Sequence, residues 1–176
     1  MNHIYIQNYY SPLGHLILGS FDQKLCVCDW YHRTSRTAID NRLRKGLNAE
    51  YSAEKDQLLE TAVSQLEEYF HGQRKDFDLP LLMVGTDFQK KVWQELLKIP
   101  WGKTETYASL SERLKNPLGI RAIASANGAN ALSILVTCHR VIGSEGKMVG
   151  YAGGLRVKKK LLQIEGALNT SQLELF

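Results

Sequence analysis

Cys138-His139-Arg140 is the stretch of this chain best equipped for chemistry. It sets a thiol beside an imidazole and a guanidinium, with the apolar run Leu132 to Val136 in front and Val141-Ile142-Gly143 behind. A cysteine in that setting is either a core residue or a nucleophile, and its neighbours favour the second. Both cations stabilise thiolate, and thiolate rather than thiol attacks carbon. If these residues lie in a strand, successive side chains point to opposite faces, so His139 would take the thiol proton through a water.

The elements that must position this stretch can be read from periodicity and caps. Residues 3–30 are rich in Ile, Tyr, Leu and Val, with turns at Pro12-Leu13-Gly14 and Asp22-Gln23-Lys24, which is a β-hairpin or meander pattern. Residues 33–50 are polar and basic and read as loop with a little helix. From Ser52 to Phe70, Leu58, Leu59, Ala62, Val63, Leu66, Tyr69 and Phe70 recur at helical spacing, ended by His71-Gly72. Phe77 to Val84 reads as a short strand or extended linker.

Beyond residue 85 the pattern turns helical. Thr86 can cap a helix with Gln89 completing a capping box, and Phe88, Val92, Leu96 and Ile99 line one face until Pro100. A second helix fits Thr106 to Leu114, closed by Asn116-Pro117-Leu118-Gly119. A third runs from Ile120 to Gly128, and a last one from Leu155 to Glu165, with Val157, Leu161 and Ile164 inward and Lys158-Lys159-Lys160 at its start. Two short helices joined by a tight turn containing Gly form a helix-turn-helix pattern. The second of the pair, Arg121 to Gly128, carries little bulk apart from Arg121 and Ile123. Small side chains let a helix approach a surface closely, whether DNA or another helix.

Charge separates the halves. Residues 1–85 carry 9 Lys+Arg against 11 Asp+Glu, a net −2, whereas residues 86–166 carry 13 against 6, a net +7. The second half is the one expected to meet a polyanion. No apolar stretch approaches the roughly 20 residues of a membrane span, so no membrane partner is expected. Three cysteines, with Cys26 and Cys28 two apart, do not make a disulfide framework. A reduced, cytoplasmic protein is expected. His3, His15 and His32 form no spaced ligand set with them, so neither metal nor cofactor is expected. Trp30, Trp93 and Trp101 read as packing residues.

Thr137-Cys138-His139-Arg140-Val141-Ile142-Gly143 resembles the P-C-H-R-V signature of the O6-alkylguanine-DNA alkyltransferases. Gly85-Thr86-Asp87-Phe88-Gln89, Val92-Trp93, Ile99-Pro100-Trp101-Gly102, Thr106-Tyr107 and Arg121-Ala122 also fall where that family places similar residues. So do Asn127-Gly128, Asn130, Tyr151, Gly153-Gly154 and Glu165-Gly166. The likeness is close over residues 85–166 and loose over 1–84, where Ser11-Pro12-Leu13-Gly14 carries it.

The resemblance implies a ribonuclease H-like α/β domain over 1–84, a small antiparallel sheet with helix. It implies an α-helical DNA-binding and alkyl-acceptor domain with the helix-turn-helix over 85–176. The implied activity is direct-reversal DNA repair by a methylated-DNA–protein-cysteine S-methyltransferase. The alkyl group of O6-alkylguanine, with O4-alkylthymine a further candidate, passes irreversibly to Cys138, once per molecule.

In that scheme His139 and Glu165 handle the thiol proton and Asn130 braces the cysteine turn. Tyr107 protonates N3 of the leaving guanine and crowds its phosphate. Arg121 fills the gap left by the flipped nucleotide, while Ala122, Ser125, Ala126, Asn127 and Gly128 face the minor groove. Val141, Tyr151, Ala152 and Gly153 line the pocket, and the carbonyls of Cys138 and Val141 read the guanine edge. The implied partner is double-stranded alkylated DNA, bound by a monomer in the cytoplasm or at the nucleoid. Ala131 and Thr137 stand where the family usually has prolines, and Ala129 stands at or beside a family arginine. The first two free backbone torsion, and the third removes a phosphate contact.

Two other classes fit parts of the pattern. One is a non-catalytic sensor of alkyl lesions, a subgroup that usually replaces the cysteine and lacks the first domain. The other is a thiol-based helix-turn-helix regulator, which needs a dimer interface and effector domain that the sequence does not display.

Overall fold

Three strands open the chain in the computed structural model, which describes residues 1–116 and 119–168. They are β1 (Asn2–Ser11), β2 (Gly14–Phe21) and β3 (Lys24–Trp30), paired antiparallel. Ser11 explains the first turn: its hydroxyl accepts from Leu13 N and Gly14 N at 3.2 and 3.1 Å and donates to Gly14 O at 2.7 Å. The second turn puts both Asp22 and Gln23 in the left-handed region, φ 48 and 57, the backbone of a two-residue hairpin whose twist suits its strands.

Two expectations for the first half change. Residues 33–50 are mainly a helix, α1 (Arg36–Leu47), followed by β4 (Ala49–Ser52). Only Ile39 and Leu43, one turn apart, are buried on α1, so its polar surface hid the helical period. The sheet is mixed rather than antiparallel, because β4 pairs parallel to β1 and gives the order β3-β2-β1-β4. The next helix, α2 (Gln57–Phe70), begins at Gln57 rather than at Ser52, where the expected segment opens. Asp56 caps it by accepting from Leu58 N at 2.7 Å.

The free edge of β3 brings the site toward the sheet. Leu25 N donates to Pro80 O and Leu82 N to Leu25 O, both at 2.8 Å, so the extended linker covers one stretch of that edge. Cys28 N donates to Ala131 O at 2.9 Å and covers the next with the segment that leads to Cys138. An edge strand left open would be a template for pairing with other chains. Here it docks the second half of the molecule.

That half contains α3 (Asp87–Leu96), which has the expected Thr86–Gln89 capping box, then β5 (Glu105–Thr106), α4 (Tyr107–Arg113) and α5 (Ile120–Gly128). Helices α4 and α5 form the helix-turn-helix pair; Pro117 and Leu118 of the expected turn lie outside the described residues. A 3-10 turn at Cys138–Arg140 leads into β6 (Val141–Ile142), which pairs parallel with β5. Helix α6 (Leu155–Ile164) closes the fold.

One apolar cluster joins Leu16, Leu18 and Leu25 of the sheet and Leu59 and Leu66 of α2 to Val92, Trp93 and Leu96 of α3. It continues through Leu110, Ile123 and Val136 to Leu161 of α6. A second, under α1, gathers Ile4, Ile17, Val27, Ile39 and Leu43 on the other face of the sheet. Trp30 and Trp93 are buried, as packing residues should be. Leu96 sits where the two halves share a core and is fully buried. Leu96→Ala should therefore lower unfolding stability by about 3 kcal/mol, read from urea unfolding, by lost transfer energy plus the cavity left behind.

Candidate active site

The loop that delivers Cys138 is folded around one amide. Asn130 Nδ2 donates to Val136 O at 2.9 Å and to Cys138 Sγ at 3.3 Å, and its Oδ1 accepts from Leu132 N at 2.9 Å. The apolar run before Cys138 is thus a set of turns, not a strand, with Ile134 in the left-handed region at φ 74. Thr137 Oγ1 donates to Leu96 O at 2.6 Å and pins the loop to the end of α3. In a 3-10 turn successive side chains step by about a third of a circle rather than alternating. Cys138 faces a cleft while His139 and Arg140 lie buried behind it, which corrects the strand-like arrangement expected from sequence.

Both meet Glu165 at the end of α6. His139 Nε2 lies 2.7 Å from Glu165 Oε1, while Arg140 Nε and Nη2 donate to Oε2 and Oε1 at 2.9 and 3.1 Å. Tyr69 of α2 donates to the same Oε1 at 2.8 Å, a contact no sequence spacing announced. Arg140 Nη1 also donates to Ile99 O at 2.5 Å. Burial by itself would push the Glu165 carboxyl up; the His139 charge and hydrogen bond and the Arg140 guanidinium outweigh it and hold it at about 2. His139 Nδ1 has no hydrogen-bond partner among the described residues.

The cleft has a volume near 440 Å³ and is lined by Tyr107 of α4, Ala124, Asn127 and Gly128 of α5, Asn130, Cys138 and residues 149–152. Arg33, Thr34 and Ser35 of the first half complete its rim. That volume falls within the ordinary range for sites that enclose a small molecule or base. Cys138 is only 4% exposed. Burial pushes its thiol up, opposed by the Asn130 hydrogen bond and the Lys158 charge, so the resting sulfur keeps its proton and needs a base. Asn127 Nδ2 donates to Tyr107 Oη at 3.2 Å, and Trp30 Nε1 donates to Tyr151 Oη at 3.0 Å.

Lys158 is the largest surprise on α6. Sequence grouped it with Lys159 and Lys160, yet it is fully buried. Its Nζ donates to Val141 O at 2.6 Å, Val149 O at 2.8 Å and Gly150 O at 3.3 Å, tying the turn after Cys138 to the opposite wall of the cleft. Burial brings its amine down to about 8.

Of the residues singled out from sequence, Cys138, Asn130, Tyr107, Asn127, Gly128, Tyr151 and Ala152 gather around the cleft, and His139 and Glu165 stand behind Cys138. Arg121, Ala122, Ser125 and Gly128 lie on the exposed face of α5. Ala126 and Asn127 do not: both are buried, the Ala126 carbonyl accepting from Trp93 Nε1 at 2.8 Å and the Asn127 amide turned to Tyr107. Val141 and Gly153 are not among the residues lining the cleft. Val141 is buried in β6, and Gly153 lies so close to Trp30 that a side chain there would meet the indole at 2.8 Å. No metal-binding cluster occurs among the described residues.

A mixed sheet with helices, docked on a helix-turn-helix half that buries a cysteine beside a His–Glu pair, defines a ribonuclease-like module joined to a DNA-binding one. Family models agree with both parts. Residues 4–83 match the 6-O-methylguanine DNA methyltransferase ribonuclease-like domain, and residues 87–167 match the DNA binding domain of the same family. The chain belongs to the 6-O-methylguanine DNA methyltransferase family.

It is 36% identical over 164 residues to the methylated-DNA–protein-cysteine methyltransferase of Methanosarcina acetivorans, covering 93% of this chain and 99% of that one. It is 40% identical over 169 residues to the one from Mycobacterium leprae, covering 94% of each. Mycobacterium tuberculosis OGT, solved in complex with DNA, superposes with a TM-score of 0.78 at 36% identity over 99% of both chains.

Glu165 also sets an expected acid sensitivity. A carboxylate held near 2 against an ordinary 4.5 contributes stability that is present above 4.5 and lost as pH falls toward 2. The difference is worth roughly 3 kcal/mol. Glu165→Gln should flatten unfolding free energy against pH across that window, measured by denaturant titration at each pH.

Proposed function

We propose that Cys138 takes the alkyl group from O6-alkylguanine in double-stranded DNA and keeps it. The observation that carries this reading is the placement of Cys138 on a cleft beside α4 and α5, with Asn130 on its sulfur and the His139–Glu165 pair behind it. The relatives' own name, methylated-DNA–protein-cysteine methyltransferase, supports it.

The chemistry follows from the groups. The Cys138 proton passes through a water to His139 Nδ1, and Glu165 on Nε2 stabilises the resulting imidazolium. Sulfur attacks the alkyl carbon; the S–C bond forms as the C–O6 bond breaks, and its electron pair leaves with guanine. Tyr107, whose hydroxyl burial keeps protonated, supplies a proton at N3 of the departing base. The product is a thioether that water does not cleave, so one molecule repairs one lesion.

DNA is held by the exposed face of α5 in the minor groove, and the damaged nucleotide is flipped into the cleft at a cost of a few kcal/mol. Arg121 takes its place in the duplex. Residues 1–84 act as scaffold and residues 85–176 carry the binding and the chemistry. O4-alkylthymine fits the same reaction, and a monomer suffices for it. No described helix is long and apolar enough to cross a membrane.

Intact-mass measurement after mixing with an O6-methylguanine duplex should find one methyl group per protein, on Cys138 by peptide mapping. Cys138→Ser should abolish the gain while retaining lesion binding. Methyl on Cys26 or Cys28, or repeated turnover, would refute the reading. Arg121→Ala should slow transfer from the duplex by about tenfold or more while leaving free O6-benzylguanine little affected, since only the duplex requires extrusion. Equal losses on both substrates would remove its gap-filling role.

A further inference from the structure

Main-chain carbonyls at the end of α5 and just beyond are taken, one after another, by side chains from elsewhere. Ala126 O accepts from Trp93. Gly128 O accepts from Arg33 Nη2, Ala129 O from Arg42 Nη2 at 2.7 Å, and Asn130 O from Arg33 Nη1 at 3.1 Å. The last carbonyls of a helix have no partner within it and carry negative partial charge, so guanidinium groups suit them. Both arginines come from the first half of the chain, Arg42 from α1 and Arg33 from the turn before it.

Arg33 is itself fixed. It is 9% exposed, and its Nη1 lies 3.1 Å from each carboxylate oxygen of Asp29, which is fully buried. Asp29 also accepts from Arg36 Nη1 at 2.9 Å and from Ser133 Oγ at 3.1 Å. Ser133 belongs to the loop that leads to Cys138. Thus the guanidinium spans residues 128 and 130 while its carboxylate partner grips residue 133. Asn130 sits between these anchors, and its side chain reaches Cys138 Sγ. A planar fork presents its donors to two carbonyls from separate nitrogens in one fixed geometry, whereas an ammonium donates from a single point.

We propose that Arg33 is a positioning residue for the reaction: from the first half of the chain it fixes the main chain at Gly128 and Asn130, so that the Asn130 amide stays on Cys138 Sγ. The proposal rests on the reading of Cys138 as alkyl acceptor. It gives residues 29–42 a part in the chemistry of a cysteine a hundred positions away. Burial and the Asp29 charge raise the thiol's pKa, and the Asn130 hydrogen bond and the charges of Lys158 and of Arg33 itself lower it. Loosening Asn130 therefore makes sulfur harder to deprotonate. Arg33→Met also removes a charge, whereas Arg33→Lys keeps it and reports the positioning alone.

The test uses the full chain and free O6-benzylguanine, which takes DNA contacts out of the measurement. Wild type must first gain one methyl group on Cys138 from an O6-methylguanine duplex, and failure there overturns the functional reading itself. Arg33→Met should then react at least about tenfold more slowly, because small displacements of a reacting group are costly. Its rate should also rise at higher pH than wild type. Arg33→Lys should lie between the two, and Arg44→Met, an exposed arginine paired with Glu50, should match wild type.

A merely structural role would lower the fraction of protein that reacts without moving the rate constant or pH midpoint of the reacting fraction, and that result overturns the proposal. So does a normal rate on the free base with slowed repair of duplex, which would make Arg33 a DNA contact. If Arg33→Met does not fold, Arg33→Lys decides: a slower rate with an alkaline shift supports the proposal, and a wild-type rate and profile overturns it.

Discussion

A carboxylate taken out of water must have its charge and its lone pairs met, and in this molecule that requirement organises the site. Glu165 is 3% exposed and is met from three directions: Tyr69 of α2, His139 and Arg140. These partners belong to the first half, to the turn that carries Cys138 and, through Glu165 itself, to the last helix. Taking away one partner of a buried charge pair generally costs about 3–5 kcal/mol, because the charge stays behind. The three elements are therefore held to one another by an obligation that ordinary apolar contacts do not impose. Lys158 adds a buried cation two turns earlier on the same face of α6. One short helix thus holds the surroundings of Cys138 with opposite charges, Lys158 on main-chain carbonyls and Glu165 on the side chains of His139 and Arg140.

Asp29 plays the corresponding part on the other side. It sits at the end of β3, and its partners Arg33, Arg36 and Ser133 lead to α1 and to the cysteine loop. The sheet's open edge accepts the main chain at 131 next to this cluster. The loop is consequently framed by the first half at 28–33 and by α6 at 158–165, with the Asn130 amide at its centre. The torsional freedom expected from Ala131 and Thr137 is taken up in other ways. Cys28 N bonds Ala131 O, and the Thr137 hydroxyl bonds Leu96 O.

What the sequence made legible is what short-range physics determines. The strands of residues 2–30, the Thr86–Gln89 box, the helix-turn-helix and α6 are all written in periodicity, caps and turn residues. So are the chemical types at 138 and 139. Helix α1 was hidden because two buried residues on twelve leave almost no apolar stripe. The parallel pairing of β4 and the roles of Tyr69, Arg33 and Arg42 depend on contacts between distant positions, for which one sequence has no marker. The burial of Lys158 has no local marker: a lysine is rarely buried unless carbonyls or charges receive it, and those carbonyls come from other loops. The turn at 138–140 has apolar flanks that resemble those of a strand, so local pattern does not distinguish the two. Its true form puts His139 behind the sulfur, against Glu165.

The seclusion of Cys138 bears on how long an unspent molecule remains fit for use. Peroxide, disulfides and stray electrophiles attack cysteines in proportion to their exposure and thiolate content. Here the sulfur is nearly out of reach of solvent, and burial keeps it protonated. In the proposed reaction, reactivity is withheld until a substrate is seated in the cleft, with His139 and Glu165 behind the sulfur to take its proton. A group that can be consumed only once is in this way stored rather than merely placed. Its shelf life among competing reagents is set by the same buried contacts that aim it.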